Sequence, residues 1–324
     1  MVHHYIGIDL GGTHLRAAIV DITTGAINAH HKIPAEAHEG HNAVIDKMAL
    51  LIEQIISEAN FAREKIGGIG IGVPGSADLT TGTVIFLPNL PGQWKGVPLA
   101  ETLTNRVHLP IQLLNDVRAM TLAEWKFGAG RGVDCMVCYA IGTGIGGGLV
   151  VNGKLHLGIG GTAGEFGHQV VEVNGPFCGC GSRGCLEMFA SGPAIASAGM
   201  KAVSHGHTTL ISTLVDHNLN LISSQTVSQA ALAGDKIALE IFQQAGKYLG
   251  IAVGNMLVAL SPNKVVFGGG VAEAGELLMD PIRKTIKERV FMVPVDQIEI
   301  VRASLGTQAG LIGAAYWSHL RRDA

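Results

Sequence analysis

Glycine is where this chain departs most from an ordinary globular sequence. There are 45 glycines in 324 residues, gathered into short clusters that each abut an apolar run of β type. Three clusters stand at matching places: Asp9-Leu10-Gly11-Gly12-Thr13, Gly142-Thr143-Gly144 and Gly268-Gly269-Gly270. Without a Cβ, backbone N–H groups can turn towards an anion and approach it closely. A threonine hydroxyl adds one donor. A carboxylate such as Asp9 can hold waters around Mg²⁺, an ion that keeps most of its hydration shell. Taken singly, each turn reads equally well as a tight hairpin. Together, with Thr or Asp recurring beside them, they favour a phosphate role for Asp9, Gly11, Gly12, Thr13, Thr143, Gly144, Gly269 and Gly270.

Two familiar glycine motifs fail on context. Gly70-x-Gly72-x-x-Gly75 has the spacing of a dinucleotide fingerprint, but Pro74 and SADLTTGTV do not open a helix. Gly148-x-x-x-x-Gly153-Lys154 has the spacing of a P-loop, but Leu155 stands where a Mg²⁺-binding hydroxyl is required. The segment reads as a hairpin.

Alternation of apolar residues predicts a strand over Tyr5–Leu10, a second after the turn, a strand over Gly68–Val73 and another in IQLLND. Helical periodicity is expected over 41–62, 117–127, 228–260 and 308–320. CMVCYAIGTGIGGGLVV repeats the strand–turn–strand pattern of the N-terminus, so two related α/β domains are expected. With 47% hydrophobic and 15% charged residues, the chain can bury a large core and is not disordered. A net charge of −3 with no basic block argues against nucleic acid as a partner. The longest apolar stretch, near Ile251–Leu260, is broken by Gly254 and Asn255, so no membrane span is expected. No signal peptide precedes the first strand, and a cytoplasmic location is expected.

Five cysteines occur. Cys135 and Cys138 lie three apart on a strand, point to opposite faces, and read as plain core residues. Cys178, Cys180 and Cys185 are crowded together, which in a cytosolic chain favours a metal over disulfides.

These segments together carry a family pattern. DLGGTHLR and GTGIGGG resemble the two phosphate hairpins of the actin–hexokinase–Hsp70 fold, and GGGVAEAG resembles its adenosine turn. GEFGH followed by CGCGSRGCLE is similar to the signature of ROK proteins, and the resemblance runs through nearly the whole chain. It implies a two-domain actin-like (ribonuclease H-like) α/β fold, with ATP and Mg²⁺ in a cleft between domains and a hexose at its base. It also implies domain closure on the sugar. His168, Cys178, Cys180 and Cys185 would hold a structural Zn²⁺, with four protein ligands and no open position for bond chemistry. Glu165, His168 and Glu187 would then face sugar hydroxyls from loops fixed by the metal. Gly75, Asn89 and Asn115 are further sugar contacts on the same resemblance, since amides suit hydroxyls that both donate and accept.

The pair Asn115-Asp116 ends an apolar strand and precedes a helix, where by itself it reads as a turn or cap. The resemblance makes Asp116 the general base. The family also contains sugar-responsive regulators with a DNA-binding segment ahead of the first hairpin; here the hairpin begins at Tyr5, so an enzyme is expected. The expected activity is phosphorylation of glucose at the 6-hydroxyl. Alternatives are N-acetylmannosamine, N-acetylglucosamine or fructose kinases, and a regulator without a DNA-binding domain is the reading of a different class. The resemblance further suggests a homodimer or tetramer. The expected division is residues 1–118 with 303–324 as the smaller domain, and 119–302 as the larger domain carrying the zinc loop.

Overall fold

The computed structural model describes residues 2–59 and 62–322. In chain order, β1 (His4–Leu10), β2 (His14–Asp21) and β3 (Ile27–Pro34) form a meander. There follow α1 (His41–Glu58), β4 (Ile66–Val73), the short β5 (Ser76–Asp78) and β6 (Thr83–Phe86), α2 (Leu99–Val107), β7 (Ile111–Asn115) and α3 (Asp116–Phe127). The first sheet has the order β3-β2-β1-β4-β7, antiparallel across the meander and parallel from β1 to β4 to β7.

The second half begins with β8 (Met136–Ile141), β9 (Ile145–Val151) and β10 (Lys154–His156). Helices α4 (Glu187–Ala190), α5 (Gly192–Ser204), α6 (Leu210–Thr213), α7 (Ser224–Leu232) and α8 (Lys236–Leu260) lead to β11 (Lys264–Gly268). The chain ends with α9 (Glu276–Arg289), β12 (Glu299–Arg302) and α10 (Ala309–Leu320). The second sheet has the order β10-β9-β8-β11-β12, again antiparallel at one end and parallel at the other. The recurrence expected from the two strand–turn–strand segments is thus a recurrence of sheet topology.

Two compact units emerge: Met1–Gly132 with Gly148–Ala163 and Ser304–Ala324, and Val133–Gly147 with Gly164–Ala303. A boundary at 118 would cut α3 two residues after its start. The helix instead stays with the first unit, because its inner face packs on α10. Gly313 of α10 comes so close to α3 that a Cβ there would lie 1.7 Å from the Ala119 carbonyl oxygen. The two units are consequently similar in size rather than one small and one large.

β4 reads IGGIGIGV, and its two faces do different work. Ile69, Ile71 and Val73 enter one core with Val44, Met48 and Ile52 of α1. Gly70 lies on the other face, where α10 rests directly on the sheet. A Cβ on Gly70 would lie 1.7 Å from the Ala314 oxygen, and one on Gly7 of β1 would lie 1.9 Å from that of Leu311. The helix expected over 41–62 ends at Glu58, and its positions 60 and 61 lie outside the described residues. The region expected to be helical over 228–260 is two helices. Gly234 turns left-handed at φ 88°, and Asp235 caps α8 by accepting from Ala238 N at 2.9 Å. Among the described residues no helix is long and apolar enough to cross a membrane.

Candidate active site

In the first unit, Asp9 closes β1 and Arg16 sits opposite it in the antiparallel register of β2. Arg16 Nε donates to Asp9 Oδ2 at 3.0 Å, the guanidinium makes a second, shorter contact to the same oxygen, and Nη1 reaches the Thr307 oxygen at 2.8 Å. One oxygen of Asp9 is therefore committed to a cation, leaving the other to order water. Between the two strands, Gly11 N donates to His14 O at 3.0 Å, and a Cβ on Gly11 would meet that oxygen at 2.9 Å. Thr13 O accepts from Ala35 N at 2.8 Å. The Gly12 position lies against the loop after β6, where a Cβ would sit 3.3 Å from the Asn89 oxygen.

Asn115 and Asp116 divide their labour. Asn115 caps α3: its Oδ1 accepts from Val117 N at 3.0 Å and Arg118 N at 3.1 Å. Its Nδ2 donates to Gly75 O at 3.1 Å, so the turn after β4 and the start of α3 are held together. The cap reading was right for Asn115, and one amide hydrogen remains for a ligand. Asp116, the first residue of α3, is half-buried and accepts from Val117 N at 2.8 Å. Burial pushes its carboxyl up to about 6, and the nearby Asp9 carboxylate adds to the rise; Val117 N–H and Arg118 oppose it. Gly72 of β4 lies next to it: a Cβ there would be in ordinary contact, 3.6 Å from Asp116 Cα. A carboxylate of this affinity is mostly ionised at neutral pH and basic enough to take a proton.

In the second unit, the turn between β8 and β9 is closed by Gly142 N donating to Gly144 O at 2.9 Å. Ile145 N donates to Glu187 Oε2 at 2.8 Å, and a Cβ on Gly144 would meet that oxygen at 2.4 Å. Thr143 is exposed at the tip. Gly192 N donates to Gly142 O at 2.8 Å. Gly269, at φ 85°, passes so near β8 that a Cβ would lie 2.4 Å from Ile141 O, while the Gly270 position opens on free space. Gly142–Gly144, Glu187, the start of α5 and the Gly269 turn are thus neighbours.

The GEFGH loop packs on the same strand. A Cβ on Gly167 would lie 2.1 Å from Ile145 O, and Phe166 meets Tyr139 with ring centroids 4.8 Å apart. Glu165 is exposed, and its carbonyl accepts from His168 N at 3.1 Å. The ligand atoms of His168, Cys178, Cys180 and Cys185 all lie within 4.8 Å of one another. His168 Nδ1 is 3.7 Å from Cys178 Sγ, and Cys180 Sγ is 3.7 Å from Cys185 Sγ. A tetrahedral Zn²⁺ with Zn–S bonds of about 2.3 Å needs S···S edges of about 3.8 Å, so the donor set fits. The loop is curled by Cys178 N donating to Ser182 O at 2.8 Å and by Gly184, at φ 68°, where a Cβ would lie 1.6 Å from Glu172 O. Use of Nδ1 for metal leaves Nε2 of His168 as the imidazole's other polar atom.

Sequence reasoning missed Arg16. The signal was present: a hairpin closing at Gly11-Gly12-Thr13 sets Asp9 and Arg16 across from each other.

Comparison with known proteins identifies the family. The family model described as "ROK family" matches residues 5–321. A glucokinase of Thermotoga maritima is 37% identical over 310 residues, covering 96% of this chain and 95% of that protein. A xylose repressor of Caldicellulosiruptor bescii is 30% identical over 309 residues, but the match spans 76% of the repressor. Among solved structures, the ROK family glucokinase of Streptomyces griseus in complex with glucose and AMPPNP superposes with a TM-score of 0.83 at 32% identity, over 99% of this chain and all of that one.

Proposed function

The chain belongs to the ROK family, with the two-domain actin-like ATPase fold of its kinases, and we propose that it phosphorylates glucose at the 6-hydroxyl with ATP as donor. The observation that carries this reading is Asp116: a half-buried carboxylate raised to about 6, at the strand end where parallel sheets present ligands, near Asp9 of β1 and Gly72 of β4. Full-length similarity to glucokinases supports glucose as the acceptor, and the AMPPNP-bound relative supports ATP.

Asp116 orients the hydroxyl and accepts its proton as the oxygen attacks the γ-phosphorus in line with the departing ADP oxygen. Backbone N–H groups of Gly11, Gly12 and Thr13, with the turns at Thr143–Gly144 and Gly269–Gly270, receive phosphate charge. Mg²⁺ arriving with ATP supplies further charge neutralisation. The Asp9 oxygen not held by Arg16 orders water for it. Gly75, Asn89, Asn115, Glu165, His168 Nε2 and Glu187 are the proposed contacts to sugar hydroxyls. Glu187 has a second task already, holding Ile145 N. His168 Nδ1 and the thiolates of Cys178, Cys180 and Cys185 would hold a structural Zn²⁺, which would stiffen this loop. A homodimer or tetramer in the cytoplasm is the setting proposed with this activity.

The test is coupled ADP release with one panel of acceptors: glucose, mannose, fructose, N-acetylglucosamine and N-acetylmannosamine. ATP and polyphosphate are compared as donors. Glucose with ATP is expected to give the highest kcat/KM. Preference for an N-acetylated sugar or fructose would move the assignment within the family, and no turnover with any acceptor would leave a sugar-binding regulator.

A further inference from the structure

Glu124 has no part in the chemistry derived above, yet its side chain is completely buried. An ionised carboxylate in that position is costly unless donors surround it. Its Oε2 accepts from Ala129 N at 2.9 Å and from Ser304 Oγ at 3.3 Å. Its Oε1 accepts from Leu305 N at 2.8 Å, and Ser304 N lies 3.1 Å from both oxygens. The Glu124 carbonyl also accepts from Gly128 N at 3.1 Å and Gly130 N at 2.8 Å.

These donors share a topological property. Residues 128–130 lead to the passage at Gly132–Val133, where the chain leaves the first unit, and Ser304 is the first residue after its final return. On the other side of that return, Ala303 N donates to Phe267 O at 2.8 Å inside the second unit. The crossing is therefore a single peptide, with a hydrogen bond on each flank made within its own unit. Hinge motions in two-domain enzymes are absorbed by a few residues at element ends, and their sharpness depends on how firmly the flanks are held.

We propose that Glu124 is a positioning residue for phosphoryl transfer: its carboxylate fixes, within the first unit, the first and the last of the four points at which the chain passes between the units. At these two passages bending is thereby kept out of the first unit's flanks, and Asp116, eight residues earlier on the same helix, is carried with them. The role in turnover rests on the sugar-kinase reading; the tie itself does not.

Two variants test it. Glu124→Gln keeps the shape but puts an NH₂ where one oxygen received backbone donors. Gly128→Ala leaves Glu124 in place but drives a methyl to 2.2 Å from its Oε2 and 3.0 Å from Leu305 Cγ, so it tests the same tie even if the first variant does not fold. Amide exchange at Ala129, Ser304 and Leu305 is expected to quicken by about tenfold, with β1 and β8 amides unchanged, in protein without ligand. In the same variants kcat is expected to fall by about tenfold while the directly measured Kd for glucose changes less than about threefold. The proposal is overturned if the three amides stay protected, or if kcat holds within about twofold once they are released. No turnover by the unaltered protein would sink the kinase reading and the role in turnover with it, whereas loss confined to the variants speaks for Glu124 alone.

Discussion

Replacing Asp116 with Asn should make the protein both nearly inactive and more stable, and the second effect carries a pH signature. The side chain keeps its shape, and the amide oxygen can still accept from Val117 N. The base is gone, so kcat should fall by about 10²–10⁴, with glucose still bound. The stability change follows from the carboxyl being raised from 3.8 to about 6 on folding, chiefly by burial and then by Asp9. The folded state holds this proton more tightly than the unfolded chain. Asp116 therefore costs nothing below the unfolded value, a cost that grows as pH rises from about 4 to 6 and is complete above 6. A rise of about two units is worth about 3 kcal/mol at most; water reaching the half-buried group brings the expected gain to about 1–2 kcal/mol. Urea unfolding of the wild type and Asp116→Asn at pH 8 and pH 4.5 measures it. The variant should lead at pH 8 and lose most of that lead at pH 4.5. The same ionisation should give the wild-type kcat/KM an acid limb centred near pH 6. An equal lead at both pH values would refute a burial-raised carboxyl, and near-normal turnover would remove Asp116 from the chemistry.

Cys180→Ala, or removal of metal by a chelator, should lower Tm and weaken glucose binding together, because one loop carries the thiolates and the GEFGH and CLE carboxylates; normal phosphorylation by metal-free protein would end the zinc assignment. Gly70→Ala should cost more than about 3 kcal/mol or prevent folding, since the added methyl would lie 1.7 Å from the Ala314 oxygen; a change under about 1 kcal/mol in urea unfolding would mean that α10 does not rest on β4 as described. Trp94 and Trp317 are both buried, but Trp317 Nε1 donates to Leu113 O at 2.9 Å, whereas Trp94 Nε1 meets no acceptor among the described residues. Trp317→Phe should therefore destabilise by about 1 kcal/mol more than Trp94→Phe, and the reverse order would show that the Trp94 N–H is satisfied.

Much of the site was legible because it is local in sequence. A glycine turn between two alternating runs declares a hairpin, and the strand end at Asn115-Asp116 is marked by the helix that follows. The crowded cysteines needed only His168 to become a closed tetrahedral set. What escaped was non-local or was hidden in dual use. Asn115 read as a cap or a ligand, but its bond to the Gly75 oxygen, 40 residues earlier, was not visible. Glu187 looked like a sugar contact alone, yet its carboxylate accepts from Ile145 N, 42 residues earlier, and so braces the end of the Gly142–Gly144 turn. Glu124 carried no motif, since its donors are backbone amides and one hydroxyl, most of them from residues 304 and 305. The break before α8 was written as Gly234-Asp235, a left-handed residue followed by a cap, but apolar periodicity on both sides concealed it.

The seating of α10 on β1 and β4 has a consequence for how the protein is made. The strands leave the ribosome well before the helix that covers them. Tyr5, Ala18 and Val20 remain without their Leu311, Ile312 and Tyr316 neighbours until α10 has been synthesised. The second unit, whose segments all precede residue 304, can complete itself while the first still waits. Maturation thus proceeds against the direction of synthesis, and the half-finished N-terminal sheet must be shielded from other nascent chains in the meantime.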